Sequence, residues 1–161
     1  MESRVKDIDH GYKAFVKNMK QVSGSYTKVG YPYDKEKQEG YKASVAEIAI
    51  YNQFGTKTKG GNKHIPARSF FTNATDKNKE ALAALTAREI IKVQDGKVTV
   101  KQAITLLGEF MIGKIRKEIT DLRDPPNAAS TIKAKGTSNP LIANGRMRAS
   151  TTQSVHIKGD L

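Results

Sequence analysis

The sequence predicts an α+β fold, in which a small antiparallel sheet packs with several amphipathic helices. Apolar residues spaced by three and four predict four helices, and two short stretches rich in β-branched and aromatic residues predict one strand near each end of the chain. A long flexible loop and an irregular C-terminal arm complete the prediction. The length fits a single domain spanning 1–161.

The N-terminal region is predicted as a helix followed by a strand. An amphipathic helix of about six turns, ended by Gly24, is indicated by one apolar stripe: Val5, Ile8, Tyr12, Phe15, Met19 and Val22. Residues 25–31 are rich in aromatic and β-branched types and stop at Pro32, which is typical of a strand. The polar residues 33–42 predict a loop.

The next segment is predicted as a short helix followed by a mobile loop. Ser44 and Glu47 stand at the spacing of a capping box, and Gly55 ends the helix that they open. Residues 55–64 contain two adjacent glycines and no apolar side chain. We therefore expect them to form a mobile loop.

Two longer helices follow, separated by a turn at Asp95-Gly96. The first spans roughly 73–93, with buried positions predicted at Ala81, Leu82, Leu85 and Ile90. Thr99 and Gln102 form a second capping box, opening a helix that runs to about Leu122. Its predicted buried stripe is Ile104, Leu107, Met111, Ile115, Ile119 and Leu122.

The C-terminal region is predicted as an extended arm and a closing strand. Pro125 and Pro126 stop the preceding helix, and residues 125–149 have few large apolar groups, with Ser130 as a candidate cap for one short turn. Residues 150–158 predict a strand. Because no tight hairpin joins the two strands, they must pair across the whole chain or with neighbouring subunits. A further strand at 97–100 is an alternative way to complete the sheet.

The charge of the chain favours a negatively charged partner. It has 28 Lys and Arg against 16 Asp and Glu, a formal net charge of +12. A merely soluble basic protein is an equally weighted alternative. The basic residues cluster in the loop and the arm, where they are candidates for contacts with DNA phosphates or a protein partner: Lys57, Lys59, Lys63, Arg68, Lys133, Lys135, Arg146 and Arg148.

The sequence offers little for catalysis, cofactors or metals. There is no cysteine, and the three histidines (His10, His64 and His156) stand at no metal-ligand spacing. Gly60-Gly61 lacks the strand and spacing of a phosphate loop. No apolar run approaches the roughly 20 residues of a membrane span, and no signal-peptide core is visible. We therefore expect a protein made in the cytoplasm, without enzymatic activity, cofactor or metal.

Two stretches of the sequence resemble the tail-completion and neck proteins of tailed bacteriophages. Residues 53–56 read Gln-Phe-Gly-Thr where the family has Glu-Phe-Gly-Thr, and residues 65–70 read Ile-Pro-Ala-Arg-Ser-Phe where it has Ile-Pro-Ala-Arg-Pro-Phe. The second stretch, 125–150, is similar to the family pattern at Ser130-Thr131-Ile132, Lys135-Gly136, Pro140-Leu141-Ile142, Gly145, Arg148 and Ser150. Val29-Gly30 matches more loosely, and the departures are Gln53, Ser69 and Asn144.

The resemblance implies a structural virion protein. It would form a homomeric ring, expected to be a hexamer, at the head–tail junction or the tail end, between the portal or connector and the tail tube or tail-terminator proteins. The ring would be assembled in the host bacterial cytoplasm, and genomic DNA would pass through its lumen. The alternative is a non-specific DNA-binding module that uses the basic loops. A small hydrolase is a third, remote reading.

Overall fold

The protein has an α+β fold, as the sequence predicts. Its structure, a computed structural model, describes residues 10–31, 43–57, 60–61 and 63–159, and of Lys63 the backbone alone. The helices are α1 (Tyr12–Val22), α2 (Val45–Phe54), α3 (Phe70–Gln94), α4 (Val100–Asp121), α5 (Ala129–Lys135) and α6 (Arg146–Ala149). The strands are β1 (Tyr26–Gly30), β2 (Thr56–Lys57), β3 (Lys63–Ile65) and β4 (Thr152–His156).

The first and last strands pair with each other, which is the first of the two alternatives that the sequence left open. β1 and β4 are antiparallel, with Tyr26 opposite His156. The two-stranded sheet packs on α4, where a Cβ added at Gly108 would lie 2.6 Å from Gln153 Cδ. The proposed strand at 97–100 is wrong, because these residues are the bend and capping box that start α4.

Both predicted capping boxes are present. Ser44 Oγ accepts from Glu47 N, and the Glu47 carboxylate accepts from Ser44 N. Thr99 and Gln102 make the equivalent pair at the start of α4. The first helix is shorter than predicted: it begins at Tyr12, because Gly11 adopts a left-handed backbone conformation with φ 98°. Val5, Ile8 and the predicted loop 33–42 lie outside the described residues.

The core lies between α3 and α4. On α4 the predicted burial of Met111, Ile115, Ile119 and Leu122 is confirmed, whereas Ile104 and Leu107 are half-buried. The predicted core positions of α3 are wrong: Ala81 is exposed, and Leu82, Leu85 and Ile90 are half-buried. This helix buries its two ends rather than its middle. Its buried residues are Phe70, Ala74, Glu89 and Val93.

The segment 55–64, predicted as a mobile loop, contains most of a short antiparallel hairpin. In β2 and β3, Thr56 pairs with Ile65 and Lys57 pairs with Lys63, with an irregular register between them. Gly61 supplies a left-handed residue near the turn, with φ 81°. The β-branched Thr56 and Ile65 provide the strand-forming residues that the glycine and lysine content of 55–64 obscured.

The segment 125–149 is not an extended arm, because it forms α5 and α6 and packs on the core through residues 141–147. Leu141 and Met147 are buried in the main hydrophobic cluster with Ile115 and Phe70. α5 begins after Ala128 without a side-chain cap, so Ser130 does not cap it. These few apolar anchors suffice because polar side chains hold the backbone between them, as described below.

Candidate functional site

The two motif-bearing stretches, 45–71 and 125–150, come together at one end of the molecule. Their junction begins at Gly55, which ends α2 with φ 74° and ψ 174°, a region that is essentially restricted to glycine. A Cβ at this position would lie 2.7 Å from Ile65 O and 2.8 Å from Ala67 N. Glycine therefore lets the returning segment 65–68 pass directly beside the end of α2.

Arg68 joins this returning segment to the start of the C-terminal stretch. Its side chain donates from Nε to Pro125 O at 2.9 Å and from Nη2 to Pro126 O at 3.1 Å. It also donates to the side-chain oxygens of Asn52, at 3.3 Å, and Asn127, at 3.1 Å. The residue is 5% exposed, and burial lowers the pKa of its guanidinium. All of its acceptors are neutral, so the charge itself has no counter-ion among them.

Asn139 holds the rest of the C-terminal stretch in place. Its Oδ1 accepts from Leu141 N at 3.0 Å and Ile142 N at 3.1 Å, and its Nδ2 donates to Thr120 O at 3.0 Å. The turn at 139–142 is thereby fixed to the end of α4. Asn139 was not among the residues predicted from the sequence; the signal for it is its place two positions before the apolar pair Leu141-Ile142, which is typical of an Asx-type turn.

Gln53, a departure from the family pattern, bridges α2 and the start of α3. Its Nε2 donates to Thr72 Oγ1 at 2.7 Å, and its Oε1 accepts from Phe71 N at 2.9 Å. The latter bond satisfies one of the free amides of the first turn of α3. The glutamate of the family pattern would place a carboxylate there, where the helix dipole favours negative charge.

A cleft of about 300 Å³ opens between the two stretches. Part of its wall is aliphatic, with Ile48, Leu141 and Met147. Its charged lining residues are all cations, namely Arg68, Lys135 and Arg146, and they lie among neutral polar side chains. Lys135 Nζ donates to Asn139 O and Pro140 O, and burial followed by the charge of Arg68 lowers its pKa.

The outer side of α2 exposes large apolar side chains. Phe54 is 74% exposed, Ile50 54% and Tyr51 40%. Their spacing places them on one face of the helix, beside a shallow groove that Tyr31 and Phe71 help to form. We call Ile50, Tyr51 and Phe54 the α2 face. A sequence signal for it existed, because the stretch VAEIAIYNQF is apolar on every side of the helix rather than along one stripe.

The structure describes the side chains of six of the eight predicted contact residues, and it divides these six into two groups. Arg68 lies inside the chain with its hydrogen bonds used internally, and Lys135 is half-buried, with Nζ bonded to two carbonyl oxygens. The exposed members are Lys57, Lys133, Arg146 and Arg148, and Arg148 donates to Thr120 Oγ1. Lys59 and the side chain of Lys63 lie outside the described residues.

The histidines do not assemble a reactive site within the described ranges. His10 and His64 are exposed, and His156 stacks on Tyr26 with ring centroids 4.8 Å apart. Glu109 Oε1 accepts from Gln153 Nε2 at 2.7 Å. In the described part of the chain, no three His, Asp or Glu side chains are grouped as metal ligands, and no helix is both long and apolar enough to span a membrane.

Comparison with protein-family models, with curated proteins and with solved structures found no match to this chain.

Proposed function

We propose that the protein is a structural subunit of a tailed-phage particle, which forms a homomeric ring at the head–tail junction or tail end and joins head to tail. The virion setting is based on the sequence resemblance. The proposal that the subunit acts through protein–protein contacts rests on the α2 face.

The observation that supports this proposal most directly is the position of Phe54. It belongs to the Gln-Phe-Gly-Thr stretch that resembles the family, yet it is 74% exposed and is absent from the hydrophobic core. The neighbouring motif residues stabilise the fold itself. Gly55 lets the segment 65–68 pass beside the end of α2, and Gln53 accepts a hydrogen bond from the first turn of α3. A motif phenylalanine that does not stabilise its own chain is explained by contact with another.

The chemistry of the α2 face fits a subunit interface. Ile50, Tyr51 and Phe54 form a contiguous apolar surface, and aromatic side chains are enriched in the buried centres of protein interfaces. Burying one such side chain in an interface contributes about 1.5–3 kcal/mol to the free energy of association. Three neighbouring side chains can therefore stabilise a contact between subunits. The C-terminal end of α2 is held by the close backbone passage at Gly55 and by two hydrogen bonds from Arg68 to Asn52, which keep this face in a fixed orientation.

The test compares self-association of the wild-type chain with Phe54→Glu, using sedimentation velocity from about 1 μM to about 1 mM. We expect the wild type to form larger species as concentration rises, and Phe54→Glu to stay monomeric. The matched control is Ile91→Glu, since Ile91 is 56% exposed on α3, about 30 Å along the helix axis from Phe70. Circular dichroism checks that both variants fold.

The control should associate like the wild type. If the wild type remains monomeric over the whole range, or if Phe54→Glu and Ile91→Glu weaken association equally, the α2 face is not the subunit contact.

The exposed cations favour DNA binding as a second candidate function. Lys57, Lys133, Arg146 and Arg148 all project from the segments that the sequence marks as basic. A free DNA-binding module would bind duplex DNA as a monomer, with an affinity that falls steeply as salt rises. Retention of that binding in Phe54→Glu would favour this alternative over a ring.

A further inference from the structure

The cleft between the two motif-bearing stretches is positively charged without internal compensation. Arg68, Lys135 and Arg146 all line it, and no Asp or Glu does so among the residues that the structure describes. None of these three cations forms an ion pair within the described ranges. Like charges that share a cleft of this size repel each other, so an incoming anion would be stabilised there.

Two of the three cations, Arg68 and Lys135, are also held in place before any ligand arrives. Four hydrogen bonds fix the Arg68 side chain, and they use four of the five N–H groups of its guanidinium. Lys135 Nζ donates to two carbonyl oxygens, which leaves its third N–H. The Arg146 side chain is exposed at the cleft. Donors fixed in advance lower the ordering cost of binding.

The remainder of the wall indicates what kind of anion fits. Ile48, Leu141 and Met147 give the cleft an aliphatic side, and His64 is the only aromatic ring among its described lining residues. The neutral polar lining side chains are Asn52, Asn127, Thr131 and Asn144. The three asparagines already hydrogen-bond within the chain. The cleft therefore offers few free groups to the edge of a nucleotide base. A volume of about 300 Å³ accommodates one or two amino-acid side chains and is too small to admit a duplex backbone.

We propose that this cleft is a binding site for an acidic side chain, Asp or Glu, carried on an apolar peptide segment of a neighbouring protein subunit. The carboxylate would accept hydrogen bonds from Arg146 and Lys135, and the flanking apolar side chain would pack against Leu141 and Met147. This inference deepens the proposed function by giving the chemistry of the partner, and it relies on that function only for the expectation of a partner subunit.

The test titrates the full-length protein with the peptide acetyl-Leu-Glu-Leu-amide and follows backbone amide NMR signals. We expect shifts centred on the cleft, at Lys135, Leu141 and Arg146. The isosteric peptide acetyl-Leu-Gln-Leu-amide should bind about tenfold more weakly, because it lacks the charge. Arg146→Gln should weaken binding of the glutamate peptide about three- to tenfold. The control is Lys133→Gln, because Lys133 is exposed on α5 and lies outside the cleft lining. It should change the affinity for the glutamate peptide by no more than about twofold.

Equal binding of the two peptides, or equal effects of Arg146→Gln and Lys133→Gln, would overturn the proposal. So would inorganic phosphate that produces the same cleft shifts at the same concentration, since the site would then take any small anion. A single-stranded oligonucleotide that shifts the cleft signals at lower concentration than the peptide would assign the site to nucleic acid. The same titration of Phe54→Glu, whose substitution lies outside the cleft lining, separates peptide binding from self-association, so failure here is distinguishable from failure of the ring proposal.

Discussion

At one end of the molecule, which we call the cleft end, the main hydrophobic cluster is built from α2, the start of α3, the end of α4 and residues 141–147. At the other, the helix end, the second cluster of Val93, Val100 and Ala103 joins the end of α3 to the start of α4, with α1 packed beside it. Regular helix packing builds the helix end. The cleft end is largely irregular backbone, fixed by Arg68, Asn139 and a glycine contact.

The difference between the two ends shows where the fold depends on specific side chains. A helical junction satisfies its own backbone hydrogen bonds and needs only apolar side chains of suitable size. Irregular backbone leaves amides and carbonyls that must find partners, and buried side-chain donors and acceptors supply them here. Replacing a polar residue or a glycine should therefore reduce the stability of the fold most at the cleft end. Both motif-bearing stretches and the α2 face lie there.

The largest effect is expected for Gly55→Ala. The new Cβ would meet the backbone at Ile65 and Ala67, and the backbone conformation itself excludes alanine. We expect a loss of about 3–5 kcal/mol in the free energy of unfolding, measured by denaturant titration.

Gly136→Ala is the matched control for this steric effect. Gly136 also has positive φ, at 69°, but nothing lies within 4 Å of an added Cβ. Gly136→Ala should therefore lower the free energy of unfolding by about 1–2 kcal/mol, the cost of placing alanine in the left-handed conformation. Equal losses for the two variants would contradict the close passage at Gly55.

Arg68→Ala should cost about 2–4 kcal/mol, because it leaves the carbonyls of Pro125 and Pro126 without their donor. Arg68→Lys should recover little, because an ammonium group cannot reproduce the fork of bonds. The control Arg148→Ala removes an exposed arginine of the same stretch and should stay within about 0.5 kcal/mol. A stable Arg68→Lys variant would show that charge, rather than the hydrogen-bond fork, holds the segments together.

Asn139→Ala should cost about 1–3 kcal/mol, since it releases the amides of Leu141 and Ile142 and the carbonyl of Thr120. Ser138→Ala, at the exposed neighbouring residue, should be close to neutral. Hydrogen exchange at the two amides provides a local readout. If the amides of Leu141 and Ile142 exchange as slowly in Asn139→Ala as in the wild type, Asn139 does not hold the C-terminal stretch in place.

The smallest effect is expected at the helix end, for Glu89→Gln. Glu89 is buried on α3, and its hydrogen bond from Lys92 lowers its pKa, assisted by Arg88. The ionised Glu89 therefore stabilises the fold at pH values above the ordinary glutamate pKa. This stabilisation is lost as the pH falls through the lowered pKa that Glu89 has in the folded protein. Thermal unfolding of the wild type between neutral pH and about pH 3 should show this loss, which Glu89→Gln lacks. Glu80→Gln, at an exposed position on the same helix, should follow the wild type.

The sequence predicted those parts of the fold whose signals are local. The boxes Ser44/Glu47 and Thr99/Gln102 each span four residues, and the stripe of α4 repeats within one helix. The role of Arg68 was not predictable in this way, because its partners Pro125 to Asn127 lie 57–59 residues away. For the same reason, Arg68 and Lys135 read as surface cations although the fold encloses them in or beside the cleft.

The central proposal, a structural subunit that joins head and tail, is tested most directly by imaging particles produced with and without this gene product in negative stain. The account predicts filled heads and finished tails that fail to join when the protein is absent, and joined particles when the wild-type chain is supplied. Phe54→Glu should fail to restore joining, whereas Ile91→Glu should restore it. Intact, infectious particles that lack the protein would contradict the account.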